Sequence, residues 1–136
     1  MFDWIYNKMA KGFSVIIQGR IPSKKNSMAQ FFNKKTGRMI SYYTSNTKNW
    51  MKEKKEELLL LHLDKCFDHV SLTLNFYMPD ARRTDLINKA ESILDVLVAS
   101  KIIQDDDYLC IDNLHMYYKG IDRAHPRVEI ILVEII

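Results

Sequence analysis

From Val70 to Phe76 every second residue is apolar, with Ser71, Thr73 and Asn75 between Val70, Leu72, Leu74 and Phe76, and Met78-Pro79 ends the pattern. A period of two puts successive side chains on opposite faces, so this stretch belongs in a sheet that buries one face. The period then changes. Between Asp85 and Ala99, residues Leu86, Ala90, Ile93, Leu94 and Leu97 recur at the spacing of one helical face and predict a helix over 85–99. Strand composition returns in YLCIDNLHMYY and again in RVEIILVEI. Earlier, FSVIIQ at 13–18 predicts a strand that Gly19 ends, leading into the loop RIPSKKNS. MAQFFNKKTGRMISYYT predicts an irregular hairpin around Thr36-Gly37. KNWMKEKKEELLLLHL predicts a helix capped by Thr44, Ser45 or Thr47, with Trp50, Met51, Leu58 and Leu61 along one stripe. Elements in this order predict a single compact α+β (mixed α/β) domain over residues 1–136, with two main helices and a mixed β-sheet. Residues 1–12 are read as an N-terminal extension to it.

A chain of 136 residues can bury one sizeable core but not two. Its composition, 47% hydrophobic and 27% charged, is that of a globular protein and excludes a disordered or collagenous chain. Cys66 and Cys110 lack the paired spacing of a disulfide framework or a zinc site and sit beside apolar residues, as thiols in a reducing compartment do. Asp3, Asn7 and Lys8 interrupt the apolar residues of MFDWIYNKMAKGF, so this stretch is neither a signal h-region nor a membrane span. The run LLLL at 58–61 is too short to cross a bilayer. A soluble, cytoplasmic protein with no membrane partner is expected.

Net charge is +3, but its distribution is uneven: from Arg20 to Lys55 there are ten Lys/Arg and one acid, Glu53. From Asp80 to Asp107, seven Asp/Glu stand against Arg82, Arg83, Lys89 and Lys101. A basic half attracts a polyanion, and an acidic half would repel it unless a cation intervenes. That split points to metal-dependent work on nucleic acid.

Setting Asp85 at zero on a wheel of about 100° per residue puts Asn88 at about 300°, Asp95 at about 280°, Glu91 at about 240° and Ser92 at about 340°. One face of the helix therefore carries three carboxylates and an amide, opposite an apolar arc. The simplest account of that face is solvation, with Thr84 as the cap and Asp85 in the first turn near the positive end of the helix dipole. Asp105, Asp106 and Asp107 have an equally simple account as a polar turn. Together they suit more. A hard divalent cation takes oxygen ligands, and a helix face and a following aspartate turn can converge on one ion. Phosphodiester hydrolysis needs such a site, because the ion lowers the pKa of the attacking water and offsets charge on the leaving oxygen. Arg82 and Arg83 beside it would bind phosphate.

At these residues the chain resembles the RusA-like Holliday-junction resolvases, crossover-junction endodeoxyribonucleases of prophages and bacteria. The family pattern is roughly Met-Pro-Asp, a basic run, then Asp-Leu-Asp-Asn-Leu with a later Lys and Asp-Ala-Leu, and finally Asp-Asp. Here MPDARRTDLINKAESILDVL is followed by the aspartate run, ungapped over about thirty residues. Weaker likeness extends to PSKKNS, similar to the family's Pro-Ser-Asn-Asn, and to RVEI near the end. The resemblance implies a RusA-like fold, action on branched DNA and use of Mg²⁺ or Mn²⁺. It places Asp85 and Asp106 on two of the family's three catalytic, metal-binding aspartates. The third falls on Ile87, and the family's catalytic lysine falls on Glu91. Glu91 lies about one turn beyond Ile87, so its longer side chain can replace the missing carboxylate. Asp105 and Asp95 would assist in holding the metal. Lys89 could stand in for the lysine or form an i,i+4 salt bridge with Asp85.

The four histidines have no metal-ligand spacing and read as surface or packing residues. Lys24, Lys25, Asn26, Lys34, Lys35, Arg38 and Lys48 lie near Phe31, Phe32, Tyr42 and Tyr43, a mixture suited to phosphate contact with some stacking and also to a plain solvated face. The expected activity is divalent-metal-dependent cleavage of four-way or other branched DNA by paired nicks. A C2 homodimer would bring two sites to two strands. The rival expectation is a non-catalytic branched-DNA-binding module whose site has decayed at Ile87 and Glu91. A third is a basic interaction protein whose acidic face a partner buries.

Overall fold

The computed structural model describes residues 12–23 and 28–135. They form strands β1 (Gly12–Gln18), β2 (Met28–Asn33) and β3 (Arg38–Tyr43), helix α1 (Ser45–Leu59), strand β4 (Val70–Met78), helix α2 (Leu86–Ala99), and strands β5 (Ile111–Ile121) and β6 (Arg127–Glu134). The main sheet has the order β1-β6-β4-β5, and among the described residues β2 pairs only with β3, in a separate sheet. β4 runs antiparallel to β6 and parallel to β5. A parallel neighbour requires a crossover, and α2 supplies it. The expected α+β architecture with two helices and a mixed sheet is thus observed.

The apolar–polar alternation from Val70 onward determines which side of β4 is covered. Val70, Leu72, Leu74, Phe76 and Met78 are buried, and the residues between them are half-buried. Ala90, Ile93, Val96 and Leu97 of α2 join the same cluster as Val128, Ile130 and Leu132 of β6 and Ile17 of β1. Helix α1 lies beside α2 and adds Leu58. Each fully buried large aliphatic side chain contributes about 1.5–3 kcal/mol, and truncating one such as Leu74 or Ile93 to alanine would cost about 2–5 kcal/mol. The opposite face of the sheet exposes Ile16, Ile131 and Tyr117. The β4–β5 register slips between Phe76 and Tyr77, leaving Lys119 without an opposite residue next to Gly120, whose φ is +116°.

Three expectations need correction. α1 ends at Leu59 rather than running through Leu63, because the last turn tightens through Leu61 N–H to Leu58 O and His62 N–H to Leu59 O, with His62 left-handed at φ +49°. Leu61 is therefore exposed, and the buried stripe of α1 instead carries Thr47, Lys54 and Leu58, with Trp50 and Met51 half-buried. β5 begins at Ile111, since the turn before it uses Asp107 O to accept the N–H groups of Cys110 and Ile111. The hairpin is also regular. Asn33 Oδ1 accepts the Lys35 N–H at 3.0 Å, and Gly37 takes the left-handed φ of +68°. Phe31 pairs with Ile40 and Phe32 with Met39, and all four side chains are exposed.

Candidate active site

Helix α2 starts at Leu86 because Asp85 caps it. Asp85 has extended backbone angles, and its Oδ1 accepts the Ile87 N–H at 2.9 Å. Thr84, expected as the cap, stands one residue before it. Asp85 Oδ2 also accepts Asn88 Nδ2 at 3.4 Å. Asn88 is buried, and its Oδ1 has no hydrogen-bond partner among the described residues. A buried acceptor without a donor is costly unless something else satisfies it.

The aspartate run forms the turn after α2. Asp105 Oδ1 accepts the Asp106 N–H at 2.8 Å, and Asp107 Oδ1 accepts the Cys110 N–H at 3.1 Å. Asp107 therefore shapes the turn while Asp105 and Asp106 stay exposed. Partial burial, then a hydrogen bond with Asp105 and the charges of Asp105 and Asp95, raise the Asp106 carboxyl above its ordinary pKa. Asp106 thus lies within electrostatic reach of both Asp105 and Asp95. Glu91 is half-buried on the helix between Asp85 and Asp95, and Ile87 is exposed. Among the described residues no three carboxylate, imidazole or thiol groups are grouped closely enough to hold one metal ion.

The donors present are carboxylate and amide oxygens, the class that Mg²⁺ accepts. That ion is bound by one or two carboxylates with water and substrate phosphate rather than by an all-protein cage. The unpartnered Asn88 Oδ1 beside Asp85 belongs to that class, and the mutual repulsion around Asp106 is what a cation relieves. The donors suit such an ion in kind, as carboxylate and amide oxygens, without forming a closed cluster for it among the described residues.

Arg82 and Arg83 are exposed in the segment that leads into α2. Asp80 shapes that segment: its Oδ1 accepts the Arg82 N–H at 2.9 Å and its Oδ2 the guanidinium of Arg20 at 2.7 Å. Lys34 and Lys35 lie at the tip of the β2–β3 hairpin and Arg38 begins β3. Lys48 stands over the Tyr42 ring at 5.8 Å. Lys24, Lys25 and Asn26 lie outside the described residues. Arg127 of RVEI is engaged within the fold, with Asp122 and Glu129 as ion partners and its guanidinium 3.7 Å from the Tyr77 ring centre.

Among the described residues Lys89 does not form the i,i+4 ion pair with Asp85. It is buried, and its Nζ donates to Ile21 O at 2.5 Å, while Ser92 Oγ donates to Pro22 O at 2.7 Å. The segment after β1 therefore lies over one flank of α2, which is why Lys89 and Ser92 are buried rather than solvated.

The model of the family described as Endodeoxyribonuclease RusA matches residues 4–133. The chain belongs to the RusA family. RusA proteins are endodeoxyribonucleases of Holliday junctions, so the resemblance at the α2 segment extends over almost the whole chain. No curated protein matches the sequence. Two further residues, Arg20 and Tyr118, join the site only in the folded chain. Both line clefts beside Arg82 and Arg83. In the sequence nothing separates Arg20 from the rest of the basic half, or Tyr118 from the other aromatic residues of its strand.

Proposed function

We propose that this chain is a divalent-metal-dependent endodeoxyribonuclease that resolves four-way or other branched DNA junctions by paired phosphodiester cleavage in the cytoplasm. The observation that carries this reading is the RusA family match together with the accessible Asp85 and Asp106, one at the head of α2 and one on the turn that follows it. Asp85 and Asp106 hold Mg²⁺ or Mn²⁺, Glu91 supplies the third carboxylate in place of Ile87, and Asp95 and Asp105 assist. When bound, the ion lowers the pKa of the attacking water and offsets charge on the leaving oxygen. Arg82 and Arg83 draw the phosphate toward these carboxylates and offset its charge. Lys34, Lys35 and Arg38, with Lys24, Lys25 and Asn26, track the DNA backbone, so recognition is of shape and phosphate before sequence. A C2 homodimer presents two such sites to two strands.

The test is a labelled synthetic four-way junction incubated with Mg²⁺ or Mn²⁺, with and without chelator, and resolved on native and denaturing gels. Symmetric, chelator-sensitive nicks are expected. Asp85→Asn and Asp106→Asn should abolish nicking and leave binding in chelator equal or tighter, because each removes a charge that repels phosphate. Asparagine caps a helix as well as aspartate, so Asp85→Asn isolates the charge from the cap. Wild-type rates in both variants would refute the assignment. The exposed Ile87, which offers no donor where the family has an aspartate, favours one other reading, a non-catalytic junction-binding module; a retarded band without nicks would establish it.

A further inference from the structure

Two clefts of about 270 and 230 Å³ open side by side at the head of α2 and share Met78, Asp80, Arg82, Arg83 and Thr84. Their remaining walls differ in kind. One lobe is closed by Leu86 and by Tyr118, an aromatic residue that is 58% exposed. The other is closed by Arg20 and Lys89 together with Ile21, Pro22, Ser23 and Pro79, so its added charges are both cationic. Lys89 is 6% exposed, yet it lines this lobe and spends one donor on Ile21 O. An ammonium carries three donors. Asp80 is the one carboxylate among the described residues lining either lobe, and it already engages Arg20. One lobe is thus a cationic recess built for an anion, and the adjoining one has an apolar wall with an accessible ring.

We infer that the double cleft is a single-nucleotide site, which takes one DNA nucleotide freed from base stacking, its phosphate against Arg20, Arg82, Arg83 and Lys89 and its base against Tyr118. This rests on the proposed action on branched DNA and goes further, by naming the part of the branch that is held. Bases within a duplex are stacked on their neighbours and cannot present a face to Tyr118, whereas a nucleotide at a branch point or in a single strand can. Base–aromatic stacking tolerates every base, so the site senses an open stack rather than a sequence. The incoming phosphate competes with Asp80 for Arg20.

The experiment measures fluorescence anisotropy of labelled pentathymidylate, of a fully paired duplex and of a four-way junction in chelator, with inorganic phosphate as competitor. Tyr118→Ala should weaken pentathymidylate binding roughly 5- to 150-fold and leave duplex binding unchanged, while Tyr118→Phe should retain binding. Arg20→Ala should weaken binding and make the slope of log K against log salt less negative by about 0.7. Tyr118 is exposed, so thermal melting of the Tyr118 variants should match wild type. Unchanged pentathymidylate affinity in Tyr118→Ala, or an equal loss on single strand and duplex, would overturn the inference. Inorganic phosphate displacing pentathymidylate equally from wild type and Tyr118→Ala would also overturn it, as the mark of a phosphate site alone. Junction nicking by the same wild-type preparation separates the two claims. Nicking without any Tyr118 effect sinks only the nucleotide site, and Tyr118-dependent single-strand binding without nicking sinks only the nuclease.

Discussion

Arg20 and Asp80, sixty residues apart, meet at 2.7 Å and join the end of β1 to the turn that presents Arg82 and Arg83. The hydrogen bond from Arg20, and then the Arg82 backbone N–H, hold the Asp80 carboxyl below its ordinary pKa. A carboxylate with a depressed folded pKa adds stability that is fully present above its unfolded value and is lost as pH falls through the folded one. The stability difference between wild type and Asp80→Asn, from urea melts, should stay level above about pH 5 and close as pH drops below about pH 4. A gap that persists into strong acid would mean that the pairing does not act through charge.

Ser92→Ala removes one hydrogen bond to Pro22 O and should cost about 0.5–1.5 kcal/mol. Hydrogen exchange should accelerate in residues 19–23 and stay slow in β4 for this variant, and more so when Lys89→Met is added. Uniform acceleration across the sheet would show that these two side chains support the whole core rather than the segment lying over α2.

Among the described residues the hairpin pairs only with itself and Lys34, Lys35 and Arg38 are exposed, so these side chains can be removed without disturbing the core. Replacing Lys34, Lys35 and Arg38 by alanine should weaken junction binding and make its salt slope less negative by about 0.9 for each duplex phosphate that the variant no longer neutralises. An unchanged slope in a salt titration would place the DNA elsewhere.

On the resemblance to the RusA pattern, Ile87 stands where the family has an aspartate and Glu91 where it has a lysine. Glu91→Gln should raise the Mg²⁺ concentration needed for cleavage and lower the rate, and Ile87→Asp should partly restore both in the double variant. Ile87 is exposed in the first turn of α2, where an added carboxylate suits the helix dipole, so folding should change by less than about 1 kcal/mol. Should Glu91→Gln leave metal requirement and rate untouched, Glu91 is a solvated helix residue. Activity appearing only in Ile87→Asp with Glu91→Lys would identify the natural chain as a decayed nuclease.

The β4 alternation and the helical period of α2 are legible in the sequence because burial of one face is a local pattern, repeated every two or every 3.6 residues. Asp85 is legible as a residue at the helix start, although its own carboxylate, and not Thr84, closes the cap. What surrounds α2 is not legible. A helical wheel gives the direction of Lys89 and Ser92 from the axis, but not that Ile21 and Pro22 lie outside them. The same limit hides Arg20 and Tyr118, whose cleft exists only after β1, β5 and the Pro79–Thr84 segment meet. Leu61 misleads for a different reason: its spacing is correct, but the helix has already ended.

The slip in register at Lys119 has a consequence for the chain in concentrated solution. Among the described residues β5 ends the main sheet, and an edge strand offers its free backbone groups to any other chain that can add a strand. Exposed Tyr117, Tyr118 and Ile121 would make that edge adhesive if it were flat. The unmatched lysine and the left-handed glycine beside it break the ladder and set a charge in its path. Self-association through this edge is thereby discouraged by the backbone itself, and Gly120 is as much a guard against aggregation as a turn in a strand.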